Sequence, residues 1–188
     1  MSKVLIIGGG AAGMMAAAFA AKNGNRVEVF EKNEKLGKKL FITGKGRCNI
    51  TNAADLEDFF SAVTSNPKFL YSAFYSFTNE QVISFFEELG VKTKVERGGR
   101  VFPVSDHSSD VIQALKSEME RLGVKINLNA EVKELITEKS STGETVNGIR
   151  LVSGKKISGD AVIVATGGIS YPSTGSTGDG YRFARRCG

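Results

Sequence analysis

The chain has one histidine, two cysteines, three prolines and no tryptophan among its 188 residues. Each scarcity excludes a class of protein. Cys48 and Cys187 lie far apart and His107 is the sole histidine, so no Cys/His metal site or disulfide framework is expected. The two thiols read as reduced cysteines of a cytoplasmic protein. Internal repeats and low-complexity tracts are also missing. Residues 4–21 carry no charge and follow Lys3, which resembles a leader peptide or a marginal membrane span. Four glycines interrupt that stretch, and its second half is alanine-rich. A strand pattern, Arg26 to Phe30, follows at once, so the stretch reads as half of a βαβ unit and no membrane partner is expected.

With 41% hydrophobic and 24% charged residues, the composition is that of a soluble globular domain. Glycine is plentiful: twelve of the 22 fall in three stretches, 8–13, 37–46 and 167–180. Clustering of that kind marks loops where backbone approaches a ligand. Of the net charge of +5, +4 lies between Glu31 and Arg47. A compact basic cluster beside glycines suits one anionic ligand, although a solvated lysine-rich loop has the same charge. A nucleic-acid surface spreads its charge and interleaves aromatics, so no nucleic acid is expected.

The periodicities order the chain. Lys3–Ile7 is a continuous apolar strand, followed by a glycine turn and a helix over 14–22 that Asn23-Gly24 closes. Val27–Phe30 is a second strand. Residues 33–54 read as loop with a helical turn near 38–41. Three helices are predicted over 55–63, 67–77 and 78–89, the last opened by the capping box Thr78 to Gln81. Their Phe and Tyr residues recur at helical spacing, which predicts a packed core. Short strands follow at 91–95 and 100–102, then a helix over 109–122 and a strand at 124–128. Segments 131–138, 145–152 and 155–158, the first two separated by the turn Ser140–Gly143, describe an antiparallel meander. A further apolar strand covers 160–166, and a helix starts near Tyr181. The fold class is α/β: a Rossmann-like parallel sheet with a helical insertion (55–90) and a small β meander (131–158).

Three constellations carry chemistry. Gly8-x-Gly10-x-x-Gly13, between a strand and a helix, is the dinucleotide-binding pattern. Gly8 serves the tight turn, Gly10 the approach of a pyrophosphate and Gly13 the helix–strand contact, with the helix N-terminus facing the phosphates. Glu31, at the end of the second strand, suits both hydroxyls of an adenosine ribose and repels a 2′-phosphate. A surface pairing with Lys32 or Lys35 is the plain alternative. The second constellation runs from Gly37 to Asn52. Here Lys39, Lys45 and Arg47 supply charge, Gly44 and Gly46 open the backbone, and Asn49, Thr51 and Asn52 offer neutral hydrogen bonds. A plain NAD domain has no need of this loop, whereas an extended flavin dinucleotide does. Cys48 has no neighbouring cysteine and reads as packing. The third is Ala165-Thr166-Gly167-Gly168 with the later Asp179, a second glycine turn at a strand's carboxyl end, where open α/β sheets bind ligands. Asp179 also suits a helix N-cap.

The phrases LIIGGGAAGMMAA (5–17), ITGKGRCNITN (42–52), GRVFP (99–103), VIVATGG (162–168) and STGSTGDGYRFA (173–184) resemble the bacterial aminoacetone-oxidase-like, NAD(P)/FAD-dependent oxidoreductases. That family is related to fumarate-reductase and glutathione-reductase type FAD domains. The resemblance implies FAD as cofactor, NAD(P)H as a candidate electron donor, and hydride transfer through flavin N5 to or from a small-molecule substrate. It implies that Gly8, Gly10, Ala11, Ala12, Gly13, Glu31 and Lys32 hold the ADP part. Lys39, Thr43, Gly44, Lys45, Gly46, Arg47, Cys48 and Asn49 would line the phosphates and flavin, and the Val132 backbone would face adenine. Ala165, Thr166, Gly167, Gly168 and Asp179 would close the site. Family members are about twice this long, so the resemblance implies an incomplete FAD-binding domain over 1–188 without its substrate domain, inactive alone. No acid or base is assigned, and no feature sets an oligomeric state. Two other readings stay open: an NAD-binding Rossmann protein without flavin, and a non-catalytic FAD-binding module in RNA modification.

Overall fold

The computed structural model describes residues 1–140 and 143–187; the two central residues of the expected Ser140–Gly143 turn lie outside them. The chain divides into two compact units, one formed by Met1–Leu40 with Leu115–Gly188, the other by Phe41–Ala114.

The first unit is built on a four-stranded parallel sheet. Its strands are β1 (Lys3–Ile7), β2 (Arg26–Phe30), β6 (Lys125–Asn127) and β10 (Ala161–Val164), in the order β10-β1-β2-β6. All three pairings are parallel, with Ile7 opposite Phe30 on one side and Val164 on the other. β1 lies inside the sheet, between β10 and β2, where Leu5 and Ile6 are fully buried. Helix α1 (Ala11–Lys22) packs on β1, β2 and β10 through Met14, Ala17 and Ala18. The opposite face carries Leu5, Ile7 and Phe30 into a cluster with Val132, Ile149, Ile157 and Phe183. Those partners come from the antiparallel meander β7 (Val132–Ser140), β8 (Gly143–Leu151) and β9 (Lys156–Ser158), and from α7 (Asp179–Cys187). Each such aliphatic or aromatic side chain contributes about 1.5–3 kcal/mol on burial.

β10 differs from the other apolar strands. It lies at an edge, and Ile163 and Val164 remain 37% and 41% exposed. Within β2, Glu28 is buried and draws Lys3 to 3.1 Å, Lys125 to 3.6 Å and Arg26 to 3.9 Å. Burial works to raise its pKa, but the hydrogen bond from Lys3 and the three cations outweigh it and hold the carboxyl below its ordinary value.

The second unit has a small antiparallel sheet, β3 (Thr51–Asn52), β5 (Arg100–Pro103) and β4 (Thr93–Glu96), in the order β3-β5-β4. α5 (Asn79–Glu88) opens with the expected capping box, and buried Asn79 donates to the carbonyls of Asn52 and Ala54 at 2.7 Å each. The helical turn near 38–41 is α2 (Lys38–Ile42). α6 (Ser108–Arg121) leaves this unit after Ala114, and its last turns belong to the first. Helices α3 (Leu56–Ser61) and α4 (Pro67–Ser76) depart from the expected aromatic core, because neither buries a residue. Their rings pack on one another, Phe60 on Tyr71 at 4.5 Å and Phe59 on Phe74 at 4.6 Å. Phe69 and Tyr75 stay 79% and 65% exposed. Helical periodicity correctly gathered the rings on shared faces, but it carries no information about whether another layer covers them.

Candidate functional site

The order β10-β1-β2-β6 places the sheet's switch point at β1, whose neighbours lead into separate halves of the chain. In such sheets the crevice opens at the carboxyl ends of the strands around that point. Three segments leave β1, β2 and β10 there: Gly8–Gly13, Glu31–Asn33 and Ala165–Gly168. Backbone bonds tie them together. The Gly8 N–H donates to the Phe30 carbonyl at 2.9 Å, Gly37 to Gly9 at 2.8 Å, and Ala165 to Ile7 at 2.8 Å.

The glycines divide by what surrounds them. A side chain on Gly8 would strike the Ala165 carbonyl, one on Gly9 the Leu36 and Glu31 side chains, and one on Gly13 the Gly8 carbonyl. Gly8 also needs glycine for its φ of 107°. Gly10 differs: its φ of −82° suits any residue, and a methyl there would meet no atom within 4 Å. Protein packing therefore gives no reason for glycine at position 10. Gly10 caps α1 without a side-chain bond, the first turn holds no acidic residue, and Ala11 and Ala12 are exposed. The positive end of the helix dipole thus faces open space. Nearby, the Thr166 hydroxyl oxygen is buried without a hydrogen-bond partner. An open approach at Gly10, an uncapped helix start and an orphaned hydroxyl together fit an anionic ligand with further polar groups.

Glu31 is buried with both oxygens engaged. Oε2 accepts from the Gly9 N–H at 2.6 Å; Oε1 accepts from the Asn33 N–H at 2.8 Å and the Asn33 side-chain amide at 2.6 Å. A carboxylate offers about four acceptor positions, two on each oxygen. This arrangement leaves one, on Oε2, where the expected contact with both ribose hydroxyls calls for two.

Two basic residues of the first unit that were expected to face the ligand hold protein partners. Lys32 donates to the Thr177 hydroxyl at 2.7 Å and to Asp179 at 2.9 Å; Lys39 donates to the Ser170 carbonyl at 2.7 Å. Asp179 is the first residue of α7 and also accepts from Arg182 and the Thr177 hydroxyl. Burial pushes its pKa up, but the bonds from Lys32, Arg182 and Thr177 prevail and lower it. Gly168 accepts from the Gly178 N–H at 3.1 Å, folding the return loop on itself. Val132 places its side chain in the core cluster at the start of β7.

The loop Thr43–Asn49 belongs to the second unit. Gly44, Lys45, Gly46 and Cys48 all take positive φ. The turn is held by the Cys48 N–H donating to the Thr43 carbonyl at 3.1 Å. Cys48 is buried; burial pushes its thiol pKa up, only partly offset by a hydrogen bond with Thr43. That setting suits a packed thiol better than a redox one. Arg47 lies over the Phe102 ring at 4.1 Å and donates to Glu96 at 2.9 Å and Asp106 at 3.3 Å; Lys94 joins Asp106 at 2.6 Å. Its charge is answered by carboxylates inside its own unit. Lys45, Asn49 and His107 are exposed. Among the described residues no three His, Cys, Asp or Glu side chains gather as for a metal ion, and no helix is long and apolar enough to cross a membrane. Sequence reasoning missed Asn33, whose only signal was its place two residues after Glu31.

Known proteins match this framework. The chain is 37% identical over 190 residues to the 3-dehydro-bile acid delta(4,6)-reductase of Clostridium scindens, covering all of this chain and 44% of that protein. It is 35% identical over 187 residues to the ribosomal RNA dihydrouridine synthase of Haemophilus influenzae, covering all of this chain and 45% of that one. The chain thus spans just under half the length of these relatives. The open form of a flavocytochrome c3 fumarate reductase superposes with a TM-score of 0.62 at 22% identity, covering all of this chain and 40% of that one. With the parallel sheet and glycine turn in place, and a family model matching residues 2–188, the chain belongs to the family described as HI0933-like protein Rossmann domain.

Proposed function

We propose that this chain is the FAD-binding part of a flavin-dependent oxidoreductase. The Gly8–Gly13 turn and the start of α1 take the pyrophosphate, Oε2 of Glu31 takes one ribose hydroxyl, and the Ala165–Gly168 turn with the Thr166 hydroxyl closes the crevice. The observation that carries this reading is the open face of Gly10, the one glycine of the turn that packing does not demand. Bound FAD supplies hydride transfer at its N5, with NAD(P)H as the candidate donor. The chain's own share is to orient the dinucleotide and to place the α1 dipole on its phosphates.

The relatives support a substrate class. Reducing a 3-oxo-Δ4,6 bile acid and reducing uridine to dihydrouridine both add hydrogen across a C=C conjugated to a carbonyl. An activated alkene of that kind is the proposed substrate of the whole protein, and a small molecule is the first reading. The RNA reading has its own support. Residues 1–40 and 115–188 carry 18 basic and 11 acidic side chains, which leaves that unit markedly positive. Titration with FAD and with NAD tests the cofactor: FAD should bind and quench its fluorescence, and binding of NAD alone would refute the flavin assignment. Assaying the whole protein on a steroid dienone and on unmodified ribosomal RNA separates the two substrates.

A further inference from the structure

Asn33 occupies a position that the dinucleotide site alone does not explain. Its backbone N–H and side-chain amide both donate to Oε1 of Glu31, and the same amide nitrogen reaches the Thr174 carbonyl at 3.2 Å. Lys38, a donor only, meets the Asn33 side-chain oxygen at 3.2 Å, which fixes the direction of the amide. From the other side, Gly175 has a φ of 100°, and a side chain on it would come within 2.7 Å of the Asn33 amide nitrogen and 3.1 Å of Lys32. The return loop is thus shaped to receive Asn33, 141 residues away in the chain.

We infer that Asn33 is a positioning residue that couples occupancy of the Glu31 ribose site to the order of the 170–178 return loop. The inference rests on the proposed cofactor site. A hydroxyl bound at Oε2 pins the carboxylate, a pinned carboxylate fixes the Asn33 amide, and the fixed amide holds Thr174. Hydrogen bonds in such a chain polarise and strengthen one another. Lys32 and Lys39 also fasten this loop, but the hydrogen bonds to the Glu31 carboxylate come from Gly9 and Asn33 and not from their side chains, so they tether it without sensing the ligand.

The test uses ADP, which fills only the adenosine-diphosphate end, with hydrogen exchange read at the amides of residues 168–178. In the native protein, ADP should slow exchange there by about tenfold. Asn33→Leu keeps the branched shape of the side chain without its polar atoms and leaves Glu31 its two backbone donors. It should bind ADP within about threefold of native affinity, yet ADP should no longer slow the loop. Lys32→Met should exchange faster without ligand while keeping its response to ADP. Asn33→Ala checks that the leucine result does not come from misfolding, and both variants should keep native circular dichroism. Native-like ADP protection of the loop in either folded Asn33 variant overturns the coupling. So does a native protein that binds ADP without any change at 168–178, in which case the cofactor reading stands. A native protein that binds neither ADP nor FAD sinks the cofactor reading, and the coupling with it.

Discussion

Replacing Gly10 by alanine separates ligand from fold more sharply than any other change in the glycine turn. The backbone at Gly10 is already one that alanine adopts, and the added methyl meets no protein atom within 4 Å. Glycine is a somewhat better helix cap than alanine, by under about 1 kcal/mol. Stiffening of the unfolded chain by alanine returns about 0.4–1 kcal/mol. The two nearly cancel, so the melting temperature should move by no more than about 4 °C. The ligand fares differently. A methyl in the open approach at position 10 keeps the phosphates off the backbone N–H groups, and losing one or two charge-assisted bonds costs about 1.5–3 kcal/mol each. FAD affinity should fall by roughly tenfold to a hundredfold or more. Gly13→Ala gives the opposite pattern. Its methyl is driven into the Gly8 carbonyl, and overpacking of this kind costs about 1–3 kcal/mol before any ligand is added. Scanning calorimetry and FAD titration on both variants read the contrast. If the Gly10 variant binds FAD with native affinity, no phosphate lies against position 10 and the site has been misplaced.

Three further outcomes follow from the geometry. Because Glu31 has one acceptor position left, only one of 2′-deoxy-ADP and 3′-deoxy-ADP should bind more weakly than ADP, and Glu31→Gln should erase the difference; equal losses for both analogues would contradict the arrangement at Oε1. Glu28 has a folded pKa below its unfolded value, so its stabilisation is full above the unfolded pKa and disappears as pH falls through the folded one; urea midpoints measured from about pH 6 down to about pH 3 should drop less steeply for Glu28→Gln than for the native protein. Cys48 is buried and Cys187 exposed, so an aromatic disulfide reagent should titrate one thiol per native chain and the second only in denaturant.

Much of this was legible from local pattern. The strand, glycine turn and helix over residues 3–22 announce themselves because every signal, apolar run, turn residues and helix formers, lies within about one βα unit of chain. The same holds for the capping box at Thr78, where both partners sit three residues apart. What escaped was anything decided by distant partners. Lys32 was read as a ligand contact, and nothing near it in the sequence signals its hydrogen bonds to Thr177 and Asp179, 145 and 147 residues further on. Asn33 looked like a loop residue because its value depends on Thr174 and Gly175. The run Ala161–Val164 has the apolar character of a central strand, yet it lies at an edge; composition reports affinity for a sheet, not position within it. The aromatic stripes of α3 and α4 failed likewise, since a period shows which rings share a face and says nothing of what lies opposite.

The basic cluster between residues 32 and 47 bears on how an anion is held. In sequence it resembles an electrostatic trap. In the folded chain Lys32 answers Asp179, Lys38 answers Glu34, and Arg47 is matched by Glu96 and Asp106, while Lys39 meets the neutral Ser170 carbonyl and hydroxyl and keeps its charge. Cations paired in this way have little attraction left for a distant phosphate. The attraction expected at the glycine turn then comes chiefly from the N–H groups and dipole at the start of α1, which act within about one turn of helix. Recognition of that kind is short in range and only weakly screened, whereas free lysines attract over about a Debye length, about 10 Å at 0.1 M salt. FAD affinity should therefore change by less than about threefold between about 0.05 and 0.5 M salt. A steep decline over that range would return the phosphates to lysine side chains, with exposed Lys45 the first to substitute.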